Sequence, residues 1–329
     1  MAYTDSDDLN YLGQIFMLGA RQTPFINALG NPISNGELNP AVASRTNSFE
    51  FAVAQPVDTG AGSQPTITEA ASVTGVTANT ITRGQDVNTC QIFQRKAEVS
   101  YKKLSTTGTV NNALSGVHNI DGAQAGMTFG VDGNPVQSEL DFQLMTNMRG
   151  MASDLNYSCI NGSYQGAASA ATAAKMRGLA NAITTNAVAA GTVALKQSHV
   201  NSVIKAMVDS GAIMQRVVAL CNSFQRQSLG ALYEFVPMDR FIGGSQVSAF
   251  YTDFGMIDIM YDPNMPTGSI FFVEMTVCRI KACPIQGRLV LVEDKPTDGA
   301  SYAKQVYTQL GLDYGPEEYH GKITGLTTS

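Results

Sequence analysis

This sequence is short of charge. Asp, Glu, Lys and Arg together make up 15% of its 329 residues, against about 25% in an ordinary soluble domain. A free monomer normally covers itself with more charge, so much of the surface is expected to be covered by other chains. The net charge is −6, and neither end carries a Lys/Arg tail. That argues against a protein that condenses nucleic acid, whose affinity would come from phosphate neutralisation. The densest basic group, Arg95, Lys96, Lys102 and Lys103, brackets a strand-like run and reads as a solvated strand edge. The five Cys are odd in number and form no C-x-x-C pair, which speaks against a disulfide framework and fits a reducing compartment. No apolar run reaches the ~18 residues of a membrane helix. The acidic start "MAYTDSDDLN" lacks the basic opening of a secretory signal.

The groupings that catalysis needs are missing as well. "GAGSQP" (60–65) begins like a phosphate-cradling loop, but Pro65 stands where its last Gly belongs. No P-loop and no G-x-S-x-G elbow occurs. His118, His199 and His320 have no second ligand at metal spacing and read as solvated or turn histidines. Cys278 and Cys283 read as small buried hydrophobes. Asp253, Asp258 and Asp262 read as strand-edge and turn aspartates. No catalytic residue, metal ligand or cofactor is implied.

What is present is a distinctive order of parts. Residues 6–19 suggest a short helix capped by Ser6, followed to Arg45 by Gly, Pro and Asn that suit an extended arm. "NSFEFAVAQP" and "QIFQRKAEVSYKK" alternate, and are expected to pair antiparallel. Between them Asp58–Asn88 holds seven Thr but no Leu, Met, Phe, Tyr or Trp. It is too poor in large side chains to build a core and too rich in β-branched residues to be a plain linker. As a ribbon it would reach roughly 50 Å, with its tip beyond the support of its own domain. Leu140, Leu144, Met148, Met151, Leu155 and Cys159 then line one face of a long helix, about 135–162. Residues 163–197 read as a connector. From 198 the pattern is α/β: a helix with Val200, Val203, Ile204, Met207 and Val208 on one stripe, a strand "RVVALC", and a helix capped by Asn222 or Ser223. A loop around Gly243 and Gly244 follows, then strands "GMIDIMY" and "SIFFV". "RLVLVED", "YAKQVYTQLGL" and "YHGKITGL" are terminal strands.

Several stretches, in this order, carry a family likeness: "TPFINALG", "RKAEVSYKKLSTTGTV", "KMRGLANAITTN", "VVALCNSFQRQSL", "AFYTDFGMIDIMYDPNMPTGSIFFVEM" and "EYHGKITGL". Together they resemble the SU10-like family of tailed-phage major capsid proteins, which have the HK97-like fold. The resemblance implies an α+β chain divided into an N-terminal arm (1–46), an extended-loop hairpin with its root strands (47–103), a peripheral domain with spine helix and connector (104–197), an axial domain (198–284) and peripheral terminal strands (285–329). It implies copies of this chain as partners, in hexamers and pentamers of an icosahedral head around double-stranded DNA. Ile67, Val73, Val76, Ile81 and Val87 of the loop, and Phe25, Ile26 and Leu29 of the arm, would touch neighbours. Leu140, Leu144, Met148, Met151 and Leu155 would form the spine-helix core. The chain would work in the virion after assembly in the bacterial host cytoplasm, with a portal, a separate scaffolding protein and a decoration protein as further partners. The scaffold is expected to be separate because Met1 lies so close to the hairpin. An acidic wall would touch packaged DNA only weakly. Some relatives weld subunits through a Lys–Asn bond on this loop; Asp58–Asn88 has no Lys, so no such weld is expected. Two other readings stay open: a cellular encapsulating shell of the same fold, and an α/β enzyme with its site in 198–284.

Overall fold

Two β-sheets and the long helix packed against both organise the chain. The computed structural model describes residues 23–30, 33–34, 37–38, 43–55, 64–75, 84–103, 139–233, 236–242, 245–285, 287 and 289–328. The first part carries helix α1 (Pro24–Ala28), strands β1 (Ile33–Ser34), β2 (Glu37–Leu38), β3 (Ala43–Arg45) and β4 (Glu50–Val53), helix α2 (Glu69–Thr74), and strands β5 (Asp86–Thr89) and β6 (Gln91–Ser100). The spine helix α3 (Glu139–Asn161) follows, then α4 (Leu179–Ala182), β7 (Ala187–Val193), α5 (Gln197–Asp209), β8 (Val217–Cys221) and α6 (Ser223–Leu232). The rest is β9 (Val236–Ile242), β10 (Ser245–Thr252), β11 (Gly255–Tyr261), β12 (Ile270–Glu274), β13 (Arg279–Ala282), β14 (Val290–Lys295), β15 (Ser301–Asp313), a 3-10 turn (Glu317–Tyr319) and β16 (Gly321–Leu326).

A mixed seven-stranded sheet runs β7-β16-β12-β8-β11-β10-β9, and a five-stranded sheet joins β14, β15, β13 and β3, with β6 also on β15. All five residues of β8 are buried, because both faces of the larger sheet are covered. Alternation assigns the faces. Val218 and Leu220 join Phe271, Val273 and the spine residues Met151, Leu155 and Cys159 in one core. Val217, Ala219 and Cys221 join Val200, Val203, Ile204 and Met207 of α5 in the other. The caps are as the sequence suggests. Asn222 accepts from the Gln225 amide at 2.8 Å, and Gly211, at φ +83°, ends α5.

Several expectations need correction. β4 pairs with β5, not with β6; β6 instead makes a ten-residue antiparallel ladder with β15. The apolar face of β6, Phe93, Ala97 and Val99, needs the spine helix above it, which the terminal sheet shares and four-residue β4 does not. The loop is not wholly β-ribbon. Thr68 caps α2 by accepting from the Ala71 amide at 3.2 Å, and Glu69 with two Ala makes a helix start stronger than the β tendency of its neighbours. The connector contains β7, and the expected loop around 243–244 lies between the paired strands β9 and β10. β16, expected with the peripheral strands, lies in the larger sheet between β12 and β7. Met148 of the spine set is 40% exposed, and Leu144 only flanks the core. Two successive steps of four residues rotate Met148 roughly 80° away from Leu140. His320 is fully buried rather than solvated or in an exposed turn. The expected helix at 6–19, residues 135–138, Val76, Ile81 and His118 lie outside the described residues.

Candidate functional site

Among the described residues, the loop between β4 and β5 leaves the chain's own core, so its base and its exposed part form the candidate site. The base is fixed by side chains from four distant places in sequence. Asp86 forms an ion pair with Arg177 and accepts from the Tyr314 hydroxyl at 2.7 Å. Burial, and then the Asp86 hydrogen bond, push the Tyr314 phenol well above its ordinary range. Arg177 lies 5.1 Å from the centre of the Tyr164 ring, a cation–π distance. Asn88 is fully buried; it donates to the Leu312 carbonyl at 2.7 Å and accepts from the Arg177 amide at 2.7 Å. The Phe51 ring packs over Gly311, where a Cβ would sit 2.8 Å from the ring and 2.9 Å from the Thr89 carbonyl. Gly311 is therefore what lets the root seat on β15.

Above this base, support from the chain ends. Residues 64–70 are all exposed; Ile67 is 58% exposed and Val73 85%. The hydrogen bonds of α2 are internal to it and its cap. A six-residue helix of this kind is not stable alone in water. Val87, at the root, is 37% exposed. Three of the expected loop contacts therefore leave apolar surface exposed, Val73 the most and Val87 the least.

The arm residues behave differently. Phe25, Ile26 and Leu29, expected on a neighbour, lie in the chain's own core at 0%, 9% and 2% exposure. A buried polar hub holds them there. Asp262 accepts from the Phe25 amide at 3.3 Å, the Asn264 amide at 2.8 Å and the Asn156 side chain at 2.9 Å. Asn156 in turn accepts from the Ile26 amide at 3.3 Å. Burial raises the Asp262 carboxyl above its ordinary range. This short segment is apolar enough to be drawn in, and the hub satisfies its amides; its Gly/Pro-rich flanks give no such reason to pack. The sequence reading missed this hub and the Asp86–Asn88–Arg177–Tyr314 base. Their members lie up to 237 residues apart, and each alone looks like an ordinary turn or strand-end polar residue.

Elsewhere, two members of the expected basic strand edge are paired: Arg95 meets Asp154 of the spine helix at 2.7 Å and Lys96 meets Glu98 at 2.9 Å. Among the described residues there is no cluster of three or more metal-ligating side chains, and all five Cys are unpaired. No described helix is long and apolar enough to cross a membrane. The arrangement suits repeated association: a body with two packed cores, and a loop whose base is fixed by buried polar contacts while residues 64–70 stay exposed.

Such a body defines a self-assembling shell protein, and the comparisons agree. The fold is that of HK97-like capsid proteins. The cyanophage A-1(L) capsid asymmetric unit is similar at 13% identity and a TM-score of 0.64, over 97% of this chain and 96% of that one. The SrpI encapsulin complex from Synechococcus elongatus PCC 7942 is similar at 11% identity and a TM-score of 0.57, over 100% and 98%. A chain of Mycobacterium phage Patience is similar at 12% and 0.55, over 88% and 82%. A comparison with curated protein sequences finds no match. The model of the SU10 major capsid protein family matches residues 2–327. The chain belongs to that family. It is a structural capsid protein.

Proposed function

We propose that this chain builds the hexamers and pentamers of a tailed-phage head around double-stranded DNA, with residues 54–85 lying across an adjacent copy. Ile67, Val73 and Val87, together with Val76 and Ile81, would contact that neighbour, while residues 24–29 stay in their own subunit. The observation that carries this reading is α2: a capped helix, flanked by Ile67 and carrying Val73, none of whose residues is buried by its own chain, in a loop whose base rests on buried polar contacts. A rigid base supports it because a partner gains most from a projection that is already oriented. Residues 139–161 and the sheet built on β15 would form the peripheral domain, and 197–274 most of the axial domain. A separate scaffolding protein, a portal and a decoration protein would complete assembly. An acidic lining would touch the DNA weakly. With no Lys in 58–88, joints of this kind would rest on buried area or on the decoration protein.

The test is deletion of residues 60–84, read by circular dichroism and sedimentation. The expected product is a folded chain that no longer forms capsomers or shells. A variant that assembles like the full chain, or one that loses its fold, refutes the assignment of this loop to neighbours. The similarity to the SrpI encapsulin complex keeps a second reading in view, a cellular shell with protein cargo. Recovery of DNA-filled heads carrying this chain decides for the first reading, and a co-purifying enzyme inside DNA-free shells decides for the second.

A further inference from the structure

Two segments that carry the chain between the sheets meet at one histidine. Residues 275–278 lead from β12 in the larger sheet to β13 in the smaller. Residues 314–320 lead back from β15 to β16. They pack without slack: Gly315, at φ +69°, lies so close that a Cβ would be 2.8 Å from the Val277 Cβ. His320 joins them. Its Nδ1 accepts from the Glu274 amide at 3.2 Å, and its Nε2 lies 2.6 Å from the Tyr314 carbonyl. A backbone amide can only donate and a carbonyl can only accept. The ring is therefore neutral, with its proton on Nε2. Glu274 extends the joint: its carboxylate accepts from the amides of Gln215 at 2.9 Å, Arg216 at 3.0 Å and Thr276 at 3.2 Å, which ties in the start of β8.

We propose that His320 is an acid-sensitive pin between the two crossover segments, and that protonation of its ring frees the two sheets to change their relative orientation. A second ring proton would sit on Nδ1 and point at the Glu274 N–H, donor against donor. The groups facing the ring are few. Glu274 on β12 and Glu317 in the 3-10 turn favour the proton, Lys322 on β16 bears on Glu317, and the buried Cys278 thiol, held well above its ordinary range by burial, stays neutral. Helix α5 brings the apolar Val203 and Met207 up to the neighbouring Gly321. Burial outweighs the carboxylates and holds the His320 ring below its ordinary value of 6.5. The folded joint thus resists the proton more than the opened one does. The stability of the joint is complete above that ordinary value and is lost as pH falls below it.

Amide hydrogen exchange of the full chain between pH 7.5 and 5.5, corrected for intrinsic rates, tests the proposal. In the wild type, residues 274–279 and 314–320 should lose protection by up to about tenfold per pH unit once below the ordinary histidine value. His320→Asn, which keeps a donor and an acceptor but does not titrate, should abolish that pH dependence, and His199→Gln should leave it in place. A flat wild-type profile, or the same slope in His320→Asn, overturns the proposal. Should His320→Asn fail to fold, exchange of the histidine C2 hydrogens in the wild type decides. His320 should titrate below the ordinary histidine value of 6.5 and open together with the crossover amides; a His320 midpoint at or above that value overturns it.

Discussion

Asp262 shows how much a single buried side chain can hold. Three donor groups, the amides of Phe25 and Asn264 and the side chain of Asn156, end on its carboxylate. Asp262→Ala leaves all three unmet in a buried site and should cost about 3 kcal/mol or more in urea unfolding. Its titration runs opposite to that of His320. A carboxyl held above its ordinary value of 3.8 favours folding at the acid end and gives that stability up as pH rises past 3.8, so a loss beginning below 6.5 cannot come from Asp262. Glycine matters where two backbones touch. A Cβ on Gly162 would lie 2.4 Å from the Met176 carbonyl, and one on Gly178 2.6 Å from the Gly162 nitrogen. Gly178→Ala should therefore destabilise by about 1–3 kcal/mol, read as a fall in the midpoint of thermal unfolding. None of these roles was legible in advance. A buried Asp, a close-approach Gly and a pinned His look the same in one-letter code as their solvated counterparts, because the partner that makes the difference is a backbone group far along the chain.

Elements were legible where the side-chain period is sustained. The helix α5, its glycine stop, the Asn222 cap and the strands β8, β11, β12, β14, β15 and β16 follow from patterns of 3.6 or 2 and from local capping. Pairing was not, since alternation says that a strand has an inner face but not which strand lies beside it. That is why β6 was assigned to β4 and turned out to lie on β15. The spine helix separates the two kinds of knowledge within one element: Leu155 is 6% exposed and Met148 40%, although both fit the same stripe. Leu155→Ala should cost about 2–5 kcal/mol, whereas Met148→Ala should stay within about 0.5 kcal/mol. Equal losses in denaturant titrations would mean that the whole stripe is core. At the loop root, Asn88→Ala removes bonds to both Leu312 and Arg177. It should raise amide exchange in residues 86–89 while leaving α3 protected.

For the whole molecule, the scarcity of charge in the sequence and the bare helix α2 describe the same condition: a body whose surface is completed by its copies. Polar substitution of an exposed apolar residue normally leaves a monomer unharmed. Ile67→Asp and Val73→Asp should thus unfold at the same urea concentration as the wild type, yet fail to assemble. The family was legible in the sequence through the order of its segments, and the fold follows it. The inward course of Phe25, Ile26 and Leu29 was not, because an arm that docks and an arm that reaches out share the same short apolar stretch. The most direct measurement is electron microscopy, at side-chain resolution, of what the full chain forms alone and with a candidate scaffolding protein. The account predicts closed shells in which residues 64–75 lie in van der Waals contact with an adjacent copy. Discrete monomers at high concentration in both conditions, or shells in which residues 64–75 touch no neighbour, would contradict it.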